Sequence, residues 1–428
     1  MDLLKSIFKG DKVIWIIFML LCLVSIIEVF SASSTLIYKS GDHWGPITRH
    51  CIFMMIGTFI VVLFHNIPYK WFQLFPIFLL PASAIMLVAV MFMARVNNAA
   101  RWIEIAGITF QPSEFAKMAV IIVTAFILSK GQSEQGANPK AFKHIMWITG
   151  VICLLIFPEN FSTATLLFGV VYLMMIIGRV AWKKLILLAG SLGAIAVAGI
   201  IFLQVTKDMD VEFLHRFDTW RARIEKFVNN KEVPPEKFDL DKDGQVGHAR
   251  IAIATSNVIG KGPGNSVQRD FLSQAYSDFI FAIVIEELGL IGGAFVVFLY
   301  ILLLIRAGKI AKKCDRTFPA FLVLGVSLLL VVQALFNMMV AVGLAPVTGQ
   351  PLPLISRGGT STIINCIYIG MLLSVSRYTA QLDEQKLHDA MIPMTVEDSA
   401  TTETPFVSQA QSAVEPTAKA LNNDEEFK

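Results

Sequence analysis

The chain has 428 residues, of which 55% are hydrophobic and only 16% are charged, and its mean hydropathy is +0.63. Soluble proteins carry about 25% charged residues, so this composition excludes an ordinary soluble protein and indicates a membrane protein surrounded by lipids. The net charge of +3 is too small to indicate a nucleic-acid-binding protein, and no nucleic-acid partner is expected.

Ten apolar runs follow one another along the chain, and they meet or approach the ~20 residues that a helix needs to cross a hydrocarbon core. They cover residues 13–31, 50–64, 74–93, 115–128, 145–157, 163–177, 185–205, 279–305, 318–342 and 361–375. The sequence therefore predicts an all-α integral membrane protein of about ten transmembrane helices. A large loop, residues 206–277, separates the seventh span from the eighth.

The distribution of lysine and arginine predicts how these spans are oriented. With the N-terminus in the cytoplasm, the segments on the inner side carry sixteen lysines and arginines. The short outer loops then carry five, which are Lys39, Arg49, Arg95, Arg101 and Arg357. Because positive charge accumulates on the cytoplasmic side, both termini are expected in the cytoplasm and the large loop outside.

Two regions of different composition are expected. Residues 1–378 form the membrane domain, which includes the outer loop 206–277. Residues 379–428 are rich in Ser, Thr, Asp and Glu and show no apolar period. This second segment is predicted to be a disordered cytoplasmic tail.

The first polar stretch lies before the fourth span and runs from Arg101 to Lys117. Pro112 suits the first turn of a helix, and Glu114 is favourable at its positive end. Glu114 and Lys117 are three residues apart and therefore share one helical face. Two interpretations remain open: an interfacial ion pair that anchors the fourth span, or a cation at the outer mouth that meets an anionic headgroup.

The second stretch surrounds the start of the eighth span. Asp278 stands where the outer loop enters the helix, and it is either a helix cap or a catalytic carboxylate. Glu286 lies about 12 Å deeper, at ~1.5 Å per residue, and Glu287 follows it. Charges inside a bilayer are costly and are functional candidates, so these acids indicate a polar interior.

The third stretch connects the ninth and tenth spans and is rich in proline and glycine, including Pro351 and Pro353. Irregular backbone at membrane depth persists only where it lines a cavity. Arg357 beside Gly358 and Gly359 is suited to binding phosphate with the help of backbone amides. Alternatively, this segment is a tight connection from which Arg357 reaches lipid headgroups.

At these stretches the chain resembles the SEDS family (shape, elongation, division and sporulation), to which FtsW, RodA and SpoVE belong. The resemblance covers residues 10–378. Its motifs are Arg101-Trp102, Gln111-Pro112-Ser113-Glu114-Phe115-Ala116-Lys117, Asp278-Phe279-Ile280-Phe281, Glu286-Glu287-Leu288-Gly289 and Pro351-Leu352-Pro353-Leu354-Ile355-Ser356 followed by Gly358-Gly359 and Ser361. Arg357 departs from the family pattern, in which tyrosine is common. The division branch, FtsW-like, is favoured over the elongation branch.

The resemblance implies a peptidoglycan glycosyltransferase in the cytoplasmic membrane that polymerises lipid II with Asp278 as the catalytic residue. It also implies a class B penicillin-binding protein, a transpeptidase, as partner. The residues expected to bind substrate are Arg101, Glu114, Lys117, Ser356, Arg357, Gly358 and Gly359. The residues expected to support them are Trp102, Gln111, Pro112, Glu286, Glu287, Pro351 and Pro353.

The expected reaction joins a sugar hydroxyl to an anomeric carbon while a polyprenyl diphosphate leaves. The hydroxyl needs a general base, and the leaving diphosphate needs positive charge from Lys117, Arg101, Arg357 or a divalent cation such as Mg²⁺ or Mn²⁺. No residue pattern specifies that metal. Two other functions remain as alternatives: a lipid II flippase, and a non-catalytic scaffold for a transpeptidase.

Overall fold

The computed structural model describes residues 9–32, 44–92, 103–105, 108–133, 136–205, 240–272 and 275–400. In these ranges the α-helices are α1 (Lys12–Ala32), α2 (Gly45–Asn66), α3 (Phe75–Phe92), α4 (Pro112–Ser129), α5 (Ala141–Ile156), α6 (Phe161–Ile177), α7 (Trp182–Val205), α8 (Leu240–Ala254), α9 (Ile280–Lys313), α10 (Thr317–Ala341) and α11 (Gly359–Ala400). Short 3₁₀ helices occupy Tyr69–Gln73 and Gln268–Asp270.

Ten of these helices coincide with the ten predicted spans, which confirms the all-α membrane architecture. In the described part of the chain, eight helices are long and apolar enough to cross a membrane, whereas α5 and α6 are apolar but shorter. The remaining helix, α8, belongs to the large outer loop and packs against α9 and α10. Helix ends predicted to face away from the cytoplasm are called outer ends below.

A small β-hairpin precedes α4 and was not predicted from the sequence. Its strands, β1 (Ile103–Ile105) and β2 (Ile108–Phe110), pair in antiparallel register, with Ile103 opposite Phe110. Phe110 stacks on Phe115 in the first turn of α4, with ring centroids 4.7 Å apart. The hairpin therefore leads directly into the outer end of α4.

The core is built around α4, α10 and α11, whose side chains are mostly buried. α10 packs against α4, α6 and α9, and α9 also packs against α1. By contrast, α7 is exposed along most of its described length and contacts α6. Since the outer ends of α4, α9, α10 and α11 meet in this core, the polar stretches at those ends lie close together.

The helix α9 is interrupted near its outer end. Gly289 has φ +74° and ψ −176°, a combination open almost only to glycine. A Cβ atom at Gly289 would collide with the carbonyl oxygen of Val258 and the backbone nitrogen of Gly260. The break therefore lets the backbone of the outer loop cross α9 in direct contact.

The chain divides into two compact units, residues 1–380 and 381–428. In the second unit, residues 381–400 are helical, and the disorder predicted for the tail stays a prediction. Residues 401–428 of that predicted tail lie outside the described residues.

Candidate functional site

Asp278 lies two residues before α9 at its outer end, and its side chain is half-buried. The Ser277 hydroxyl donates a hydrogen bond to the Asp278 carboxylate at 3.0 Å. The Asn337 amide in α10 donates to the Asp278 backbone carbonyl at 2.9 Å, and the Ser356 hydroxyl donates to the Ser277 carbonyl at 2.6 Å. These contacts fix the backbone on which the partly exposed carboxylate is carried.

The proline–glycine loop (residues 343–358) is held by side chains from three helices. Gln333 and Asn337 in α10 donate to the carbonyls of Pro351 and Gln350, at 3.1 and 2.8 Å. The hydroxyl of Tyr300 in α9 donates to the carbonyl of Pro353. In α1, the Ser25 hydroxyl donates to the carbonyl of Ile355 at 2.8 Å.

Because the loop is anchored along its length, it forms a rigid support beside Asp278. Leu354 within it adopts φ +67°, a left-handed conformation that is uncommon for a branched residue. Such a conformation persists where the surrounding structure imposes it. Pro351 and Pro353 belong to this anchored loop, and Ser356 is buried and contacts Ser277 and Leu352.

An ion pair between Glu114 and Lys117, one of the two interpretations left open by the sequence, is present at the outer end of α4. The Lys117 ammonium lies 2.8 Å from a carboxylate oxygen of Glu114, and their side chains are 0% and 2% exposed. Lys117 also donates to the side-chain oxygen of Gln333 at 2.8 Å. Since Gln333 in turn holds Pro351, the pair stabilises the proline–glycine loop from within the core.

Glu286 and Glu287 are fully buried and bind the glycine loop (residues 260–268) of the outer segment. Glu286 forms an ion pair with Lys261 at 2.6 Å and accepts a hydrogen bond from the Ser266 hydroxyl at 2.5 Å. Glu287 accepts hydrogen bonds from the backbone nitrogens of Gly264 and Ser266, at 2.9 and 3.2 Å. Both carboxylates therefore position the outer loop.

Arg357 occupies the outer mouth two residues before α11 and is half-buried. Its backbone nitrogen donates to the carbonyl of Tyr276 at 2.9 Å, and its guanidinium lies 5.5 Å from the centre of the Tyr276 ring. Burial lowers the pKa of Arg357, and the neighbouring Arg49 lowers it further while Tyr276 opposes the shift. The guanidinium nevertheless stays charged, since arginine does not deprotonate in proteins.

The other predicted residues are placed as follows. Gln111 is buried and directly precedes α4, and Pro112 is the first residue of that helix, as predicted. Gly359 is the first residue of α11. The carbonyl of Gly358 accepts a hydrogen bond from the backbone nitrogen of Thr362 at 3.0 Å. Arg101 and Trp102 lie outside the described residues, so their predicted roles stay predictions.

Sequence reasoning missed the two amides of α10, Gln333 and Asn337. They are buried within an apolar run and are four residues apart, which puts them on one helical face. That spacing inside a span was a readable signal, because polar side chains in a membrane helix normally have a specific partner. Gln350, which donates to the Thr163 hydroxyl at 2.7 Å, extends the same network to α6.

The sequence analysis predicted a divalent cation but named no residues that would bind it. In the described residues, no three His, Cys, Asp or Glu side chains come together in a way that could hold a metal ion. Mg²⁺ is commonly held by one or two carboxylates together with substrate phosphates, and such a site needs no cluster of this kind. The divalent cation therefore stays a prediction.

These features define a multi-pass membrane protein with an anchored carboxylate and basic side chains at the outer mouth of its bundle. The family model of cell cycle proteins that groups FtsW, RodA and SpoVE matches residues 11–381. The chain belongs to this family, which confirms the resemblance read from the motifs.

Two curated relatives carry the name probable peptidoglycan glycosyltransferase FtsW. The protein from Halomonas elongata is 31% identical, over 84% of this chain and 89% of its own length. That from Bacillus subtilis is 29% identical, over 91% of this chain and 96% of its own length.

Solved structures share the fold. A chain from a peptidoglycan synthase complex, described as coordinating polymerization and crosslinking, superposes with a TM-score of 0.67 at 20% identity, covering 87% of this chain and 99% of its own. The rod shape determining protein RodA of Thermus thermophilus gives 0.59 at 20% identity, covering 86% and 97%.

Proposed function

We propose that this protein is a peptidoglycan glycosyltransferase that polymerises lipid II into glycan strands at the outer face of the cytoplasmic membrane, during division or elongation. The observation that carries the proposal is the anchored, half-buried carboxylate of Asp278 at the outer end of α9. The names of the curated relatives support the same activity.

In the proposed reaction, Asp278 acts as general base. It takes the proton of the acceptor hydroxyl while that oxygen forms a bond to the anomeric carbon of the donor sugar. The bond from this carbon to the diphosphate oxygen breaks, and its electron pair leaves with the polyprenyl diphosphate. The proton remains on the Asp278 carboxyl and is then released to water. Both substrates keep their lipid tails in the membrane, so a base at headgroup level is correctly placed.

The buried groups around Asp278 act as positioning residues in this proposal. Asn337 and Ser356 hold the backbone at Asp278 and Ser277, and Gln333 holds the loop behind them. A base that is fixed before the substrate arrives avoids part of the entropic cost of reaching the reactive geometry.

For the partner, we propose a transpeptidase of the class B penicillin-binding protein type. The support is the fold shared with a chain of a peptidoglycan synthase complex that coordinates polymerization and crosslinking. Membrane lipids and lipid II complete the expected set of partners.

The proposal is tested by glycan polymerisation from purified lipid II, using the reconstituted full-length chain with its transpeptidase. We expect polymer from the wild type and at least a ~100-fold loss in Asp278→Asn, the order of effect ascribed to a general base. Asp270→Asn is the matched control, because Asp270 is an exposed carboxylate of the same outer segment. It should polymerise like the wild type.

Three outcomes separate the alternatives. Polymer formation by Asp278→Asn at the wild-type rate would remove Asp278 as the base. No polymer from the wild type, together with lipid II movement across vesicle membranes, would favour the flippase. Neither activity, with transpeptidase binding retained, would favour the scaffold.

A further inference from the structure

Two arginines lie at the outer mouth where α2 and α11 begin, close enough that Arg49 lowers the pKa of Arg357. Arg49 is exposed near the start of α2, and Arg357 lies two residues before α11. A Cβ atom at Gly359 would lie 3.4 Å from the ring of Phe53, so the start of α11 packs against α2 at that ring. Arg49 is one helical turn further out on the same face of α2. The packing therefore brings Arg49 to the side of α2 that faces Arg357.

A hydrogen-bonded chain fixes this arrangement. A ring nitrogen of His50, next to Arg49, lies 2.9 Å from the hydroxyl of Ser25 in α1. The same hydroxyl donates to the carbonyl of Ile355 at 2.8 Å, two residues before Arg357. On the other side, Tyr276 holds Arg357 through its carbonyl and its ring. Both arginines thus sit on backbone that is tied to neighbouring elements.

These two cations differ from Lys117, Lys261 and Arg269 at the outer ends. Lys117 and Lys261 form ion pairs with buried glutamates, and Arg269 lies 4.0 Å from Glu287. Within the described ranges, Arg49 and Arg357 form no ion pair with a carboxylate. Their guanidinium groups repel each other, and that repulsion contributes to the lowered pKa of Arg357. A group with two or more negative charges between them would remove the repulsion.

We propose that Arg49 and Arg357 together form a seat for the diphosphate of a lipid-linked sugar donor. The proposal rests on the glycosyltransferase function and identifies the groups that bind the leaving group of that reaction. The guanidinium fork binds phosphate oxygens in pairs, and the cation–π contact with the Tyr276 ring orients one of the two forks. Negative charge that develops on the diphosphate as the glycosidic bond breaks is then stabilised by two fixed cations.

Lys117 cannot fill this role without loss of its own contacts. It is fully buried, and its ammonium already contacts Glu114 and Gln333. A diphosphate would have to break a buried ion pair to reach it, whereas Arg49 is exposed and Arg357 half-buried. The pair at the mouth is therefore the better-placed described group for an anion that enters along the membrane surface.

Binding of undecaprenyl pyrophosphate to the full-length protein in nanodiscs tests the seat directly. Arg49→Gln and Arg357→Gln should each weaken binding by about tenfold, because each loses a charged hydrogen-bond donor. Arg377→Gln is the matched control, since Arg377 joins the same two helices at their inner ends through Asn66 at 3.1 Å. Its affinity should equal that of the wild type.

Two further arms identify the chemistry that is bound. Undecaprenol, which lacks phosphate, should bind the variants and the wild type equally. The loss of undecaprenyl pyrophosphate binding should be the same in phosphatidylcholine nanodiscs and in nanodiscs that contain phosphatidylglycerol. A loss confined to the phosphatidylglycerol nanodiscs would show that the seat holds a phospholipid headgroup, and would overturn the proposal.

Because binding needs no turnover, this experiment separates the seat from the catalytic function. Arginine-dependent binding without polymerisation would contradict the glycosyltransferase function and leave the seat intact. Polymerisation with unchanged affinity and unchanged KM in both glutamine variants would overturn the seat. If a glutamine variant fails to fold, the lysine variants decide: they keep the charge but lose the fork, so unchanged affinity in both would contradict paired phosphate binding.

Discussion

Lys117→Met should destabilise the protein more than the double substitution Glu114→Leu/Lys117→Met. In the single variant the Glu114 carboxylate stays buried without its cation, at an expected cost of ~3–5 kcal/mol. Removing both charges avoids that cost, but the side-chain oxygen of Gln333 still loses the donor that lies 2.8 Å away. An orphaned buried acceptor costs ~1–3 kcal/mol in both variants, so the double variant should recover about 3–5 kcal/mol of the stability lost in the single variant.

The stability of these variants can be followed by thermal unfolding in detergent, with the fluorescence of the seven tryptophans as the signal. Initial rates of glycan polymerisation supply kcat and KM for the variants that fold. Since Lys117 is buried and holds Gln333, which holds Pro351, the double variant should show a reduced kcat. Its KM for lipid II should equal that of the wild type.

Two results would refute this reasoning. A single variant as stable as the double variant would mean that the ion pair does not contribute as its burial indicates. A large rise in KM in a double variant of recovered stability would mean that Lys117 contacts the substrate, as the alternative interpretation of this pair from the sequence holds.

Three other predictions concern the support of the site and its cation. Asn337→Leu removes the amide that donates to the carbonyls of Asp278 and Gln350. At ~1–2 kcal/mol of lost positioning, kcat should fall ~10-fold with KM unchanged, and an unchanged kcat would contradict this prediction. Gly289→Ala should lower the unfolding temperature, because its positive φ costs about 1–3 kcal/mol for another residue, whereas Gly308→Ala, in an open helical position, should not. Chelation with EDTA should slow polymerisation, and Mg²⁺ or Mn²⁺ should restore it. An unaffected rate would show that polymerisation needs no divalent cation.

The sequence predicted the helices well, because apolar runs of the required length leave little freedom in a membrane protein. All ten spans are helical, and the Glu114–Lys117 pair follows from a spacing of three residues on a helix that begins at Pro112. These are local relations. They depend on the period of one helix and on the preference of proline for its first turn.

Contacts between distant segments could not be predicted in this way. The sequence gives no sign that Glu286 and Glu287 bind the glycine loop with their buried carboxylates. Gly289 permits that contact because its backbone conformation breaks α9, and the sequence shows only one more glycine in an apolar helix. The partners of a buried charge are set by how the helices pack, which is a property of the whole bundle.

Burial divides the charged groups at the outer ends into two kinds. Among the buried ones, Glu114, Lys117, Glu286 and Glu287 each contact a group from another part of the chain or their own ion-pair partner. To meet a substrate, any of them would first have to leave such contacts, which costs ~3–5 kcal/mol for a buried pair. Asp278 and Arg357 are half-buried at the mouth and carry their charge on backbone that the buried groups hold in place. The chemistry is therefore expected at the half-buried charges, and the effect of the buried ones should appear in kcat and stability rather than in substrate affinity.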